Sequence, residues 1–422
     1  MSCPVCFFRD DYQKQLKTSL FGIDRFENKM RAYKSKFIEG VRDMVNLSEC
    51  SCSATYNSPE MAKWTGDFLS ELKNSESIIN EAFDEIISIY EDFIGKSQKV
   101  AIENFWSYLT QQDLLNDKEG AFTSSRLYFR ARKKSTSFET TDVRAHFHIP
   151  FSQRERVANQ RFSVSGQPML YFGSSTFGVE KELENSCDNL SMAAFLPSAN
   201  IYSNAKIFNL RNRINIIVEN SLPGIFGARS KISYDDPTIG FGRDTISKDI
   251  HKSVLMFLCT FPREFTNSFV AEYVLPQILT TALLEHKYIG LIFPSTKDYS
   301  SIQGHHRFSS FNMNLGIYVP YDPENDINES LLSSFSAFTL DGSESLNRTP
   351  QEVLDRSREV ISKLNERCLG TNSIMPIILV QNEIDYIKSA QINNLNYFQT
   401  TAGKIELELY MKMFDYLEAS AC

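Results

Sequence analysis

The hydrophobic period changes twice along this chain, and that change constrains the fold more than any single motif. Up to about residue 120 the apolar residues recur every three or four positions. Phe26, Met30, Tyr33, Phe37, Val41 and Met44 fall on one helical face, and Ile79, Phe83, Ile86, Ile87, Tyr90 and Ile94 on a second. Both stripes are expected to face a core. From about 125 to 330, short apolar runs alternate with Gly, Pro, Ser and Asn. Residues 169–172, 192–196 and 289–293 read as strands, with helical periodicity at 250–258 and 269–284. Thr349-Pro350-Gln351-Glu352 then marks a helix start, with a hydroxyl cap, proline at the first helical position and early acid. Val353, Val360, Ile361 and Leu364 continue its face, and Gly370 is a stop. Residues 374–380 read as one more strand, and the serine-rich stretch 333–345 as a mobile loop. The expected fold class is α+β: a mixed-sheet core with helical N-terminal and C-terminal additions. The boundaries fall at 1–120 for the helical N-terminal region, 121–335 for the core and 336–422 for the C-terminal extension.

Composition narrows the function. Of 422 residues, 42% are hydrophobic and 23% charged, enough for a large core without disulfides or metal. Lys plus Arg total 44 against 52 for Asp plus Glu, a net charge of −8. That balance argues against a nucleic-acid coat, which needs a basic face. The N-terminal residues lack a basic n-region followed by a long apolar run. The most apolar stretch, 253–261, is shorter than the roughly 20 residues a membrane span needs. No membrane association and a cytoplasmic location are therefore expected. The eight cysteines then read as reduced thiols or metal ligands.

Several familiar signatures are missing. There is no GxxxxGK[ST], Gly240-Phe241-Gly242 lacks the third glycine of a dinucleotide fingerprint, and Gly173 to Gly178 is one residue too long for a nucleophile elbow. Cys3 and Cys6 form Cys-x-x-Cys, and Cys50 and Cys52 form Cys-x-Cys. Together they are a candidate tetrahedral zinc staple for the N-terminus, set against four unrelated thiols. His146 and His148 alternate, as on a strand, but no nearby acid or cysteine completes a metal set. His305-His306 reads as a solvated loop.

The densest polar information lies between Arg130 and Glu182. Arg130, Arg132, Arg154, Arg156 and Arg161 concentrate cationic forks of the kind that bind phosphate bidentately. Gly166-Gln167-Pro168 turns the chain into a strand bearing Tyr171. Beyond Gly173-Ser174-Ser175 a helix carries Glu182 back toward the same cleft. Arginines, an aromatic face and one carboxylate suit cleavage of an N-glycosidic bond, where a carboxylate stabilises positive charge developing on the ribose. The rival reading is ordinary surface ion pairs and a solvated helix glutamate.

This stretch resembles the RES domain family, whose members are NAD-consuming bacterial toxins with an ADP-ribosyltransferase-like fold. Arg130 follows an aromatic, Arg161 precedes the Gly-x-Pro turn, Tyr171 sits in the strand motif, and Glu182 comes eleven residues later. His148-Ile149-Pro150-Phe151 with Arg154 matches a branch of the family. Glu272-Tyr273-Val274-Leu275-Pro276-Gln277 is similar to its Glu-Tyr-x-x-Pro-Gln helix. Gly290-Leu291-Ile292-Phe293-Pro294-Ser295 is similar to its Gly-Ile-x-Tyr-Pro-Ser strand. Phe162 and Phe293 depart from the family's usual aromatics. Glu180 competes with Glu182 for the catalytic place, and the eleven-residue offset favours Glu182. The resemblance covers about 170 residues and leaves out roughly 1–120 and 340–422.

The resemblance implies an NAD+-cleaving toxin, a glycohydrolase or phosphorylase. Arg130 and Arg161 would hold the dinucleotide through pyrophosphate or ribose oxygens. Tyr171 would pack on the nicotinamide or its ribose, Glu182 would stabilise the ribosyl cation, and Ser295 would orient the nicotinamide amide. No catalytic metal is required. Such toxins are held in check by an antitoxin, expected as a partner. The extra helices are candidates to occlude the cleft, to form a homo-oligomer or to bind a regulator. The alternatives are a mono-ADP-ribosyltransferase with a protein or small-molecule acceptor, and a non-catalytic regulatory protein that keeps the fold.

Overall fold

A computed structural model describes residues 2–52, 59–115, 126–134, 141–198, 206–211, 243–265, 268–297, 299, 301–302, 310–340, 345–366 and 371–420. The N-terminal helices are α1 (Pro4–Phe7), α2 (Asp10–Thr18), α3 (Phe26–Arg42), α4 (Pro59–Asn74), α5 (Glu76–Gly95) and α6 (Gln98–Gln111). The middle of the chain adds α7 (Val143–His146), α8 (Thr176–Leu183), α9 (Arg243–Cys259), α10 (Val274–Glu285) and α11 (Glu329–Leu332). The C-terminal helices are α12 (Pro350–Glu366), α13 (Thr371–Ile387) and α14 (Thr401–Ser420).

Both expected helical stripes are buried, in α3 and α5, with Met44 just past the end of α3 and one exposed exception. Ile94 is 55% exposed at the last turn of α5. The N-terminal helices share one core with α9 and α10. Phe8 meets Phe257, Phe26 meets Phe261, and Tyr33 meets Phe261, with ring centroids 5.2 to 6.3 Å apart. Each such buried aromatic contributes about 1.5–3 kcal/mol by leaving water. This shared core fixes the N-terminal region against the middle of the chain.

The strands are β1 (Tyr128–Lys133), β2 (Met169–Gly173), β3 (Leu190–Pro197), β4 (Lys206–Asn209), β5 (Tyr288–Pro294), β6 (Met313–Tyr318) and β7 (Phe335–Thr339). They form one mixed sheet in the order β4-β5-β6-β2-β1-β3-β7. Only β4 and β5 are parallel; the remaining neighbours are antiparallel. β1 pairs with β3 along its whole length, from Tyr128↔Phe195 to Lys133↔Leu190, and β2 pairs with β6 from Met169↔Tyr318 to Gly173↔Asn314. In contrast, β1 meets β2 only at Phe129↔Gly173. The sheet is therefore two half-sheets joined at one seam. The C-terminal helices share a core with one face of β1 and β3, while Tyr128, Phe172 and Phe195 pack on the other face.

The chain is mixed α/β, as expected, and three local readings change. Residues 374–380 are helical: Ile374, Ile377, Val380 and Ile384 are buried at spacings of three, three and four, a helical period. The stretch read as a loop contains edge strand β7, so the sheet runs past the boundary expected at 335. The 269–284 helix begins only at Val274. Gly370, Gly240-Phe241-Gly242 and His305-His306 lie outside the described residues.

Candidate functional site

Glu182 sits in the last turn of α8, and that helix is anchored at its start. Ser175 caps it, accepting from the Gly178 N–H at 2.9 Å. Gly178 lets α8 lie against the strap before β6, since a Cβ there would stand 2.6 Å from the Phe311 carbonyl oxygen. Glu406 of α14 accepts from the Thr176 N–H at 3.0 Å and from the hydroxyls of Tyr397 and Tyr410, each at 2.7 Å. Burial raises the Glu406 pKa, and these donors act against it.

So held, the Glu182 Oε1 accepts from the Ser295 hydroxyl and from the Asn314 side-chain amide at 2.8 Å. Ser295 follows β5 and is buried, and its N–H donates to the Asn312 carbonyl at 2.6 Å. Burial pushes up the pKa of the adjacent Tyr299 phenol, with the Glu182 charge second. Glu180 lies apart, accepting from the Cys187 thiol at 3.2 Å. Of the two competing carboxylates, Glu182 is the one joined to Ser295.

Arg161 feels the Glu182 charge, and Tyr171 meets Phe293, two residues before Ser295. The half-buried Tyr171 donates its hydroxyl to Ser163 Oγ at 3.1 Å and meets the Phe293 ring edge-on at 6.4 Å. Arg161 Nη1 donates to the carbonyls of Phe261 at 2.8 Å and Cys259 at 3.2 Å, and its guanidinium stacks 4.9 Å over the Tyr273 ring. Burial lowers its pKa, while Tyr273 and then Glu182 oppose that shift.

Arg130 is not brought to this group. It leaves β1 on the Tyr128 side, opposite to the side on which Tyr171 leaves β2. Its Nε donates to the His146 carbonyl at 2.8 Å, and its Nη1 to the Tyr171 carbonyl at 2.7 Å, across the seam. Arg132 donates likewise to the carbonyls of Ala145 and Phe147. Burial, and then Arg132, lowers the Arg130 pKa. Arg154 stacks on Tyr321, and Arg156 bonds Gln153. The five arginines therefore serve several separate places. His146 ends helix α7 instead of lying on a strand. It bonds Asp142 and Ser191, while His148 bonds Ile149 and Asn328. Both histidines are held by protein groups.

The four N-terminal cysteines converge. Their Sγ atoms all lie within 4.8 Å of one another, with Cys3 to Cys52 at 3.4 Å and Cys6 to Cys50 at 3.7 Å. All four are free thiols, since a disulfide needs about 2.05 Å. Hydrogen bonds from Cys3 and then Cys52 lower the Cys6 pKa.

A cavity of about 710 Å³ opens at the other end of β2 and β6, beside Met169, Tyr318, Phe162, Ser163 and Arg154. It is separated from Glu182 and Asn314 by the length of the strand pair. The hydrogen-bonded set around Glu182 lies outside this largely apolar cavity. Sequence reasoning missed Asn314, Asn312 and Tyr299, which carry no motif of their own.

Comparison of the chain with protein-family models, with curated proteins and with solved structures gave no match. Among the described residues no helix is long and apolar enough to cross a membrane.

Proposed function

We propose that the chain is an NAD+-cleaving enzyme, most simply a glycohydrolase. The observation that carries this reading is the Ser295–Glu182–Asn314 set, with Arg161 within reach of the Glu182 charge and Tyr171 against Phe293 of the strand leading to Ser295. In the reaction the bond between ribose C1′ and the nicotinamide nitrogen breaks, and its electron pair leaves with nicotinamide. Water adds to C1′ and loses a proton, giving ADP-ribose. Glu182 stabilises the oxocarbenium-like charge and accepts from a ribose hydroxyl, which replaces Ser295 as a donor. Ser295, released toward the ligand, bonds the nicotinamide amide, and Tyr171 gives the ring a flat face. Arg161 supplies charge for the diphosphate. Arg130, on the opposite face of the sheet, braces the strand that carries Tyr171 and does not meet the ligand. The partners of this reading are NAD+ and a protein antitoxin that covers the cleft.

The test is to incubate the full chain with NAD+ and identify products. Nicotinamide with free ADP-ribose supports hydrolysis, and ADP-ribose 1″-phosphate in phosphate buffer points to phosphorolysis. Labelled protein points to transfer. No loss of NAD+ over hours at micromolar protein sinks the reading.

We also infer a structural zinc ion at Cys3, Cys6, Cys50 and Cys52. A tetrahedral ion with Zn–S bonds of about 2.3 Å sets its sulfurs about 3.8 Å apart, close to the spacing of these thiols. All four positions are filled by thiols, so the ion is a staple with no open catalytic place. One zinc per chain by elemental analysis is expected, and Cys6→Ser should lose it. Metal-free protein with four freely titratable thiols contradicts the inference.

A further inference from the structure

Two charged residues of α2 reach the segments that carry Ser295 and hold Arg161. Asp10 accepts from the Asn312 side-chain amide at 3.3 Å, and the Asn312 carbonyl in turn takes the Ser295 N–H at 2.6 Å. Lys17 is 3% exposed, and its ammonium donates to the Thr260 carbonyl at 3.4 Å and hydroxyl at 3.3 Å. Thr260 lies between Cys259 and Phe261, whose carbonyls hold Arg161. Two cations from distant parts of the chain thus grip three successive carbonyls at the C-terminal end of α9, where the helix dipole favours positive charge.

Lys17 has no carboxylate within ion-pair distance among the described residues. Its surroundings are the rings of Phe257, Tyr33 and Phe261, at 5.3, 5.9 and 5.9 Å. Asp10, Arg161, Cys259 and Lys14 act on it electrostatically; Asp10 itself feels Lys17, Arg211 and Asp11. A lysine buried in this way pays heavily in desolvation, so a well-packed apolar residue would serve mere packing better. Its position makes sense as a device that fixes the 259–261 turn and, through it, the Arg161 fork.

We propose that Asp10 and Lys17 are positioning residues of the cleft. Lys17 shapes the carbonyl clasp that orients Arg161, and Asp10 holds the Asn312 strap that fixes Ser295. This inference rests on the reading of the cleft as an NAD+ site, and it makes that site composite: neither end of the ligand is placed without the N-terminal region. Lys17 governs the diphosphate end, and Asp10 the nicotinamide end.

Two ligands separate these effects. ADP-ribose carries the diphosphate without nicotinamide, and nicotinamide carries the amide without phosphate. Titration calorimetry on the full chain should show Lys17→Met binding ADP-ribose about tenfold more weakly and nicotinamide unchanged. Asp10→Asn should show the reverse. Loss of general structure would weaken both ligands in both variants, and that result, or no loss in either, overturns the proposal. If the unmodified chain binds neither ligand, the NAD+ reading itself falls and takes this inference with it. Should Lys17→Met fail to fold, hydrogen exchange on the unmodified chain answers instead. ADP-ribose should slow exchange both at 259–261 and along 10–18; no slowing along 10–18 overturns the role of Lys17.

Discussion

Glu180 and Glu182 are two residues apart on one short helix and face different partners, a thiol and a serine hydroxyl. The proposed chemistry therefore predicts unequal effects. Glu182→Gln should slow NAD+ loss by about a hundredfold or more, the usual scale for removing a group that stabilises transition-state charge. Glu180→Gln should leave the rate close to the parent's, and a nicotinamide-release assay reads both. Asp10 carries a second prediction. Burial pushes its pKa up from 3.8 to about 6, so the folded state binds the proton more tightly than the unfolded state. Its contribution to stability is full below pH 3.8 and is lost as pH rises through about 6. Lys17 shifts the other way, from 10.5 down to about 7 through burial. Its contribution is full above 10.5 and is lost as pH falls through about 7. Urea midpoints measured against pH should fall less steeply between pH 3.8 and 6 in Asp10→Asn than in the parent.

The helix bearing Glu182 depends on a helix more than 200 residues later. Glu406 of α14 takes hydrogen bonds from the Thr176 N–H and hydroxyl at the start of α8, and from Tyr397 and Tyr410. Glu406→Ala leaves these buried donors unpaired and should lower stability by about 3–5 kcal/mol in denaturant unfolding. The α12 start is a local matter. Thr349 and Glu352 form a reciprocal box, with Glu352 N–H to Thr349 Oγ1 at 3.3 Å and Thr349 N–H to Glu352 at 2.8 Å. Thr349→Ala should cost about 1 kcal/mol. That start was legible because cap, proline and acid act within four residues. The α13 segment was misread because its branched apolar run favours a strand locally and Pro376 counts against a helix interior, while packing every three or four residues imposes a helix. The same rule divides the candidate site. Glu182, Tyr171 and Ser295 stood out because each sits in a local motif. Asn314 is set only by its register opposite Phe293 in β6, and Asp10 meets Asn312 across 302 residues, which no local pattern encodes.

At the scale of the molecule, the four-thiol cluster joins two stretches within the N-terminal region, while the shared core and the contacts of α2 tie that region to the rest. Removing zinc with a chelator should lower the thermal midpoint of the full chain, and restoring zinc should recover it. An unchanged midpoint in protein shown to have lost its metal contradicts a structural role. The net charge of −8 gave no sign of the cations gathered at the end of α9, because a global sum cannot register where charges converge. The seam between β1 and β2 has a mechanical meaning as well. A sheet joined at the single pair Phe129↔Gly173 is two plates on one rivet, and Arg130 is the strut that braces them by holding the Tyr171 carbonyl. Loss of the Arg130 guanidinium would take that strut away. The angle between the plates then rests on the Phe129↔Gly173 pair alone.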